Sequence, residues 1–493
     1  PKMFKFCVVF LLCGLLTPSQ GLVGSASVSA RVDKDVLESA ITGSLANGNL
    51  LEGLLGGLLG GGGLVGGLLG GNGLVGGLLG GLLGKNGLLG TIQGLTGLKI
   101  VNITLPKITL SFLPGVGLQL NIYTQLLVDG NGAVGGLLQL QVEANITARV
   151  RLVQDKSGAL KLVIENCKTL LGDVNIPAHL SHILFPVCLL PRLKVPLVEK
   201  TLKSVLGGVL PRLLCPVVDT VLGVVNSLLG SVTSVLPLGA LGDLRYTLSS
   251  LPIIGDKSIQ LDLNLLLRDA AGNVVEPVRG LSSPVTLLPT TGRGVQVGLS
   301  QDVLGAVLGL AQKQGAFNLD ITSSAVPSSI SLSTSALVSA FPQLSTVVPG
   351  SLPLALRVRL ADVPEVSLRD GKATATLQGT IDVVTRRPGF PVQTLFSLDS
   401  DIGLNITPSV ASGKLRTSLA IDRVKLRLAS SQIGPINASR LEGWVTDALT
   451  AAYVPAINSA VSAGIPLPNI LNTNFENSQV DIADVRLSFP SIA

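Results

Sequence analysis

Few residue types in this chain could carry out catalysis or hold a metal ion. The two histidines, His179 and His182, lie three residues apart, and this spacing could present two ligands on one face of a helix. Cys188 is the nearest other ligand, and Pro177 and Pro186 interrupt any regular element around the pair. We therefore predict a surface or turn histidine pair and no metal site.

Nucleotide-binding and hydrolase motifs are incomplete. The segment Gly84-Lys85-Asn86 resembles the end of a phosphate-binding loop, but Leu79 stands where that loop needs glycine, and Asn86 where it needs serine or threonine. The serine elbow Gly-X-Ser-X-Gly and the zinc motif His-Glu-X-X-His do not occur in the sequence. We expect no catalytic residue, no cofactor and no enzymatic activity.

The first 21 residues are predicted to be a secretory signal peptide. Lys2 and Lys5 lie beside an apolar run at residues 6–16, and the small residues Ser19 and Gly21 come just before a cleavage position ahead of Leu22. The mature protein is therefore expected to be secreted and extracellular.

Cysteines and sequons fit that compartment. Cleavage would remove Cys7 and Cys13 and leave Cys167, Cys188 and Cys215. Three cysteines in a secreted protein predict one disulfide and one free thiol, and their number leaves the pairing open. Four Asn-X-Ser/Thr sequons predict N-glycosylation, at Asn102, Asn145, Asn405 and Asn437.

The composition indicates a soluble protein with large apolar cores. Of 493 residues, 46% are hydrophobic and 13% are charged. After the signal segment, no run of about eighteen apolar residues escapes interruption by Gly, Pro, Asn or a charge. The net charge of +6 predicts mild attraction to anionic surfaces, whereas an aromatic content of 3% argues against a nucleic-acid partner.

Residues 53–98 are dominated by Gly, Leu and Val, in a ten-residue unit that begins at Leu54, Leu64 and Leu74. Each interior glycine costs a helix about 1 kcal/mol relative to alanine, so this segment should not form a helix alone in water. Its leucine pairs are nevertheless too apolar for an inert linker. The sequence leaves two readings open, a flexible tether and a surface-active element.

The elements around these motifs form two similar halves. Strict apolar–polar alternation over residues 138–152 predicts a long half-buried strand, bounded by turns at 129–132 and 155–158. The second half repeats this pattern around the turn Asp370-Gly371 and over residues 415–428. Helical periodicity predicts helices at Val32–Ile41, in pieces of 197–229, at Asp302–Gln312 and at Ser439–Ala463, the last capped by Asn437 or Ser439.

Several segments, in this order and spacing, resemble the BPI/LBP/PLUNC superfamily and in particular its long-PLUNC branch, called BPI fold-containing family B. They are ENCKTLLGD at 165–173, LLCPVV at 213–218, GDLRY at 242–246, GLSQDVL at 298–304 and GIPLP at 464–468. Some members of that branch also carry a Gly/Leu-rich N-terminal insertion. The resemblance covers about residues 22–490 apart from the Gly/Leu block.

This resemblance implies an α+β fold, in which two pseudo-symmetric domains form a boomerang joined by a central sheet. Each domain would be a twisted antiparallel sheet wrapped around a long helix. The segments would be a signal peptide at 1–21, an N-terminal strand and helix at 22–52, a Gly/Leu-rich flexible repeat at 53–98, a first domain at 99–230, a connector and central sheet at 231–284, and a second domain at 285–493. The family disulfide maps onto Cys167 and Cys215, with Cys167–Cys188 as the competing pair.

The function implied is non-enzymatic binding of phospholipid or another amphipathic lipid, in innate mucosal defence or ligand transport. A sheet wrapped around a helix can enclose an apolar sleeve that small side chains line without filling. The residues predicted to line such grooves are Leu37, Ile41, Val205, Val209, Val445 and Leu449.

Two alternatives stay open. One is a surfactant or structural role of the Gly/Leu block at interfaces. The other is cationic binding of bacterial lipopolysaccharide or an anionic membrane surface. The N-terminal region weakens the second, because Arg31 and Lys34 are offset there by Asp33, Asp35 and Glu38.

Overall fold

The structure is a computed structural model. It describes residues 26–46, 96–104, 107–131, 137–156, 158–175, 203, 215, 218–219, 221–227, 229–275, 285, 287, 294–471, 473, 475, 478, 480–483 and 486–492. The predicted signal peptide, His179, His182 and Cys188 lie outside these residues. So does the predicted Gly/Leu-rich segment, except that residues 96–98 begin a strand.

Strands dominate the described residues. The first half contains β1 Val28–Asp33, β2 Thr96–Ile103, β3 Lys107–Leu113, β4 Gly117–Asn131, β5 Leu137–Gln154 and β6 Leu160–Asn175. The middle contains β7 Val235–Pro237, β8 Gly242–Leu248, β9 Ile253–Ile254, β10 Ser258–Asp269 and β11 Val274–Val275. The second half contains β12 Gly294–Ser300, β13 Leu319–Ile321, β14 Leu354–Leu360, β15 Glu365–Arg369, β16 Lys372–Thr385, β17 Gln393–Ala411, β18 Lys414–Ser431, β19 Ile465–Pro466, β20 Asp481–Ala483 and β21 Arg486–Ile492.

The helices are α1 Lys34–Ala46, α2 Gln301–Lys313, α3 Thr334–Val338, α4 Leu344–Val347, α5 Glu442–Ala448 and α6 Val454–Ala460. Residues 221–227 are also helical. Short 3-10 turns lie at Ser231–Thr233, Gly239–Leu241 and Ala438–Leu441, and a π-helical turn at Leu449–Tyr453 joins α5 to α6. The predicted cap is confirmed, because the Asn437 side chain accepts a hydrogen bond from the Ser439 backbone N–H.

A central sheet combines strands that are far apart in sequence. Its order is β20-β21-β12-β1-β10-β8-β7, with β9 and β11 also paired to β10. The predicted helix start at Val32 is wrong, because Val32 pairs with Ile259 on one side and Val295 on the other. Those two neighbours come from distant segments, so the local periodicity could not reveal them. The helix begins at Lys34 and continues to Ala46.

Each half has a sheet of its own. In the first half the order is β2-β4-β5-β6 with β3 on β4, and in the second half it is β13-β14-β16-β17-β18-β19 with β15 on β16. The strand predicted over 138–152 is confirmed as β5. Every strand pair among the described residues is antiparallel.

Helices pack against these sheets and complete the core. Helix α1 contacts β3, and α2 contacts β15, while α5 and α6 contact β18. Their apolar faces join a continuous cluster of buried residues that runs through both halves. This arrangement confirms the predicted α+β class with two strand-rich halves. None of the helices within the described residues is long and apolar enough to cross a membrane.

Candidate functional site

An apolar pocket lies where the middle segment of the chain meets the second half. Helix α2 forms one wall, the neighbouring parts of β17 and β18 form another, and two connecting segments close it at 238–241 and 461–465. The pocket is lined by Leu238, Leu241, Leu304, Val307, Leu308, Ile406, Thr417, Leu419, Val461, Ala463, Gly464 and Ile465.

The lining suits an aliphatic chain and offers nothing to a polar substrate. Thr417 is the one lining residue whose side chain has a polar atom, and no lining residue is charged. The cavity volume is about 20 Å³, which holds about one water molecule. A lipid tail would therefore enter only if α2 and the 461–465 segment move apart.

Helix α2 faces the pocket through the spacing of its apolar residues. Leu304, Val307 and Leu308 follow one another at intervals of three and four, so they share one face of the helix. Asp302 in the first turn and Lys313 in the last turn interact favourably with the helix dipole and stabilise the helix. Gln301 fixes the start of the helix against the sheet, because its Oε1 accepts a hydrogen bond from the Leu368 backbone N–H at 3.3 Å.

The pocket floor is held by an asparagine on α6. Leu419 donates its backbone N–H to Asn458 Oδ1 at 2.8 Å, and Asn458 Nδ2 donates to the Leu419 carbonyl at 2.9 Å. An amide side chain can do both because it carries a donor and an acceptor. The pair of bonds keeps β18 and α6 at a fixed distance on this side of the pocket.

Close backbone approach shapes the opposite wall. Gly239 has φ +67°, and a Cβ added there would lie 2.9 Å from the Ala463 side chain. Only glycine combines this backbone conformation with that contact. The connecting segments 238–241 and 461–465 can therefore lie directly against each other.

Hydrogen bonds between the middle segment and the second half lie close to the pocket. The Tyr246 hydroxyl donates to the Pro466 carbonyl at 2.6 Å, and Gln314 Nε2 donates to the Leu241 carbonyl at 2.8 Å. Burial raises the pKa of the Tyr246 phenol, so the hydroxyl stays protonated and remains a donor at physiological pH. These bonds make the joint between the middle segment and the second half a specific contact.

Two basic residues lie beside the pocket wall on β18. Gly464 lies so close to Lys414 and Arg416 that a Cβ built on the glycine would be 3.3 Å from Arg416 Cγ and 3.4 Å from Lys414 Cβ. Arg416 is exposed, and Lys414 is half-buried. Side chains alternate between the two faces of a strand, so Lys414 and Arg416 lie on the face of β18 opposite to the pocket-lining Thr417 and Leu419. They place positive charge near the pocket without lining it.

The predicted groove residues occupy other places. Leu37 and Ile41 lie on α1, Val445 lies on α5 and Leu449 lies in the π-helical turn, and all four are buried in the core. None of them lines the described pocket. Val205 and Val209 fall outside the described residues. Their assignment to a lipid groove stays a prediction.

The pocket-lining residues were missed by the sequence reasoning. Leu304, Val307 and Leu308 lie in a correctly predicted helix, and the apolar side of that helix was the available signal. The segments 238–241 and 461–465 had no such signal, because only the fold brings them together.

Cys167 on β6 and Cys215 form a disulfide with a Cα–Cα distance of 6.1 Å. This is the pairing implied by the family resemblance. Among the predicted glycosylation positions, Asn145, Asn405 and Asn437 are exposed, and Asn102 lies in β2. Asn405 also donates from Nδ2 to Asp422 Oδ1 at 3.2 Å. Glycosylation itself stays a prediction.

Comparisons with known proteins agree with this architecture. The sequence model "LBP / BPI / CETP family, N-terminal domain" matches residues 73–230, and "LBP / BPI / CETP family, C-terminal domain" matches residues 254–491. The chain is 42% identical to BPI fold-containing family B member 3 of Mus musculus, over 98% of this chain and 98% of that protein. It is 39% identical to BPI fold-containing family B member 4 of Homo sapiens, over 80% of this chain and 63% of that protein.

A solved structure shares the fold. The crystal structure of lipopolysaccharide binding protein aligns with a TM-score of 0.54 at 18% identity, over 94% of this chain and 98% of the other. At this identity the similarity concerns the fold alone.

Proposed function

Since this chain belongs to the LBP / BPI / CETP family, in agreement with the predicted long-PLUNC resemblance, we propose that it is a secreted, non-enzymatic lipid-binding protein. Its ligand is a phospholipid or another amphipathic lipid, carried in innate mucosal defence or ligand transport. The observation that carries the proposal is the apolar pocket between the middle segment and the second half.

Lipid binding at this pocket follows from its chemistry. Each methylene of an acyl chain that leaves water contributes about 0.8 kcal/mol. An aliphatic lining without charges can accept such a chain and discriminates little between chain types. Lys414 and Arg416, on the other face of β18 near Gly464, favour an anionic head group outside the pocket, such as a phospholipid phosphate.

Entry of the lipid requires the pocket to widen. The described cavity holds about one water molecule, so the bound state separates α2 from the 461–465 segment. Val307 lines the pocket from α2, so a larger side chain at this position should reduce the pocket volume.

The test is native mass spectrometry of the full-length protein after incubation with phosphatidylglycerol. Val307→Phe is expected to lower the lipid-bound fraction several-fold by filling the pocket. Gly305→Leu is the matched control on the same helix, because a Cβ added at Gly305 meets nothing within 4 Å. Equal lipid occupancy in both variants and in the original protein would contradict the pocket assignment.

The head-group proposal has its own measurement. The double variant Lys414→Gln and Arg416→Gln is expected to lose its preference for phosphatidylglycerol over phosphatidylcholine while still binding lipid. Replacing phosphatidylglycerol by lipopolysaccharide in the same assay tests that ligand directly. An unchanged preference would remove these two residues from the site.

Secretion is tested separately by N-terminal sequencing of the protein recovered from culture medium. A mature N-terminus at Leu22 is expected. Retention of residues 1–21 on the exported protein would contradict the predicted signal peptide.

A further inference from the structure

The far end of the second half carries an exposed aromatic side chain on a rigid turn. Phe390 has 66% of its surface exposed. Its backbone N–H donates to the Arg387 carbonyl at 3.0 Å, which closes a turn through Pro388 and Gly389. Proline and a glycine with φ +78° at these positions correspond to a type II turn. The turn therefore presents Phe390 to solvent with little conformational freedom left to lose.

Three segments converge at this end. Gln343 Nε2 donates to the Pro435 carbonyl at 3.3 Å, and Arg387 Nη2 donates to the Val347 carbonyl at 3.4 Å. Gln432 donates its backbone N–H to the Leu395 carbonyl at 2.8 Å. We call this region, residues 343–353, 385–395 and 432–440, the distal tip.

The distal tip is basic and contains no acidic residue. The sequence has no Asp or Glu from 321 to 361, from 383 to 398 or from 423 to 441. Arg386 and Arg440 are exposed, and Arg387 is half-buried. Val347 adds a second exposed apolar side chain, with 39% of its surface exposed.

The distal tip is remote from the apolar pocket. Ile406 lines the pocket, and it lies thirteen residues along β17 from Gln393, a separation of about 40 Å at about 3.3 Å per residue. Whatever binds at the tip therefore does not share the pocket. The tip inference stands independently of the proposed function.

We propose that the distal tip is a membrane-docking surface, in which Phe390 inserts among the lipids of an anionic bilayer while Arg386 and Arg387 contact the head groups. Arginine side chains near an anionic leaflet strengthen attachment by about fivefold each. Aromatic side chains favour the interface between head groups and acyl chains. The absence of acidic residues means that no charge at the tip opposes this contact.

Vesicle flotation with the full-length protein tests the docking surface, using equimolar phosphatidylcholine and phosphatidylserine against phosphatidylcholine alone. Attachment is expected only to the anionic vesicles and should weaken with added salt. Arg386→Gln with Arg387→Gln should lower attachment about 25-fold. Phe390→Ser should lower it about tenfold.

Two control variants match these changes elsewhere on the surface. Leu251→Ser removes a side chain that is 69% exposed near the central sheet, and Arg149→Gln removes an exposed arginine from β5 in the first half. Both should attach as the original protein does. Tip variants that attach normally, or controls that lose attachment equally, would overturn the docking surface.

A fluorescence measurement locates the contact directly. The chain has one tryptophan, so Trp444→Phe combined with Phe390→Trp places the single reporter at the turn. On anionic vesicles its emission should shift to shorter wavelength and be quenched by brominated acyl chains. Attachment without either change would also overturn the proposal.

Lipid occupancy of Phe390→Ser, measured by native mass spectrometry, separates the two proposals. Lost attachment with normal occupancy supports the tip. If Val307→Phe loses bound lipid but still attaches to vesicles, the result supports the pocket assignment and leaves the docking surface unaffected.

Discussion

The two halves hold their last long strand to a helix with the same pair of hydrogen bonds. In the first half, Leu162 donates its N–H to Asn226 Oδ1 at 2.5 Å, and Asn226 Nδ2 donates to the Leu162 carbonyl at 3.0 Å. In the second half, Asn458 makes the same two bonds to Leu419. We call this pair of bonds, from one asparagine to both backbone groups of one leucine, the clamp. In each half a bulged residue, Glu165 or Asp422, lies three positions after that leucine.

The shared clamp has a physical reason. Among the described strands β6 lies at the edge of its sheet, and β18 is followed only by the short β19 at residues 414–415. The backbone groups of Leu162 and Leu419 on the outer side therefore lack a strand partner, and buried backbone groups need one. An asparagine on the covering helix supplies the partner in both halves.

The halves differ in a second tie, which joins the last long strand to a helical residue that precedes the asparagine in the chain. Cys215 forms a disulfide to Cys167 on β6 in the first half. In the second half, the Leu426 backbone N–H of β18 donates to Glu442 Oε1 at 3.2 Å. The comparison indicates that the clamp is common to both halves, whereas the second tie is a disulfide in the first half and a hydrogen bond in the second.

Loss of the covalent tie should have the largest effect. Cys215→Ala is expected to lower the free energy of unfolding by about 4 kcal/mol, because the disulfide closes a loop with a sequence separation of 48. Urea unfolding under non-reducing conditions measures this change. Cys188→Ala is the control and should leave the unfolding curve unchanged. The reverse result would show that Cys167 pairs with Cys188.

Loss of either clamp should give the next largest decrease in the free energy of unfolding, and the decrease should be the same in both halves. Asn226→Ala and Asn458→Ala each remove two hydrogen bonds and leave a backbone N–H and carbonyl without partners, a loss of about 2–3 kcal/mol. Hydrogen exchange at the Leu162 and Leu419 amides should quicken in the corresponding variant only. A loss in one half and none in the other would break the equivalence of the two clamps.

The contact between the middle segment and the second half should contribute less to stability, and its contribution should depend on pH. Tyr246→Phe removes the bond to the Pro466 carbonyl and should cost about 1–2 kcal/mol at neutral pH. Burial raises the folded-state pKa of Tyr246 above its ordinary value of 10.0. The stability it contributes is therefore complete below pH 10 and lost as the pH rises through the folded pKa.

Thermal unfolding between pH 8 and pH 12 checks this dependence, in a range defined by the ordinary tyrosine pKa of about 10. The melting temperature should fall above pH 10, and Tyr246→Phe should fall less steeply. Burial also raises the pKa of Tyr453, so this residue is expected to account for part of the remaining decrease in melting temperature with pH. Identical slopes in the two proteins would contradict the role of Tyr246.

The polar tie of the second half should give the smallest effect. Glu442→Ala leaves the Leu426 N–H without its acceptor and should cost about 1 kcal/mol. Glu442→Gln keeps an acceptor and should stay close to the original protein in urea unfolding. A loss as large as that of Cys215→Ala would mean that the two ties are energetically equivalent after all.

Much of the local structure was predictable from the sequence. The alternation at 138–152 gave β5, and the 302–312 periodicity gave α2 to within one residue at each end. The alternation over 415–428 also changes phase between Ile421 and Val424, and the bulge at Asp422 explains the change. The predicted start of α1 was two residues too early, because over so short a segment Val32 fits both the strand period of two and the helical period of 3.6.

The candidate site could be predicted only in part. The apolar face of α2 was visible, and the family resemblance implied the Cys167–Cys215 pair. The clamps were not visible, because an isolated asparagine in a helical pattern has no signal that names its backbone partner. The distal tip was also missed, since its three segments are separated by more than thirty residues in the chain.

The sequence by itself determined the two-half pattern, the long strands, most helices and the family, because these depend on periodicity and on the order of short motifs. Only the tertiary structure decided which residues line the pocket, which backbone groups Asn226 and Asn458 satisfy, and which segments meet near the turn that carries Phe390. The physical reason is that periodicity reports burial along one element, whereas a site is formed by elements that meet across large separations in the chain.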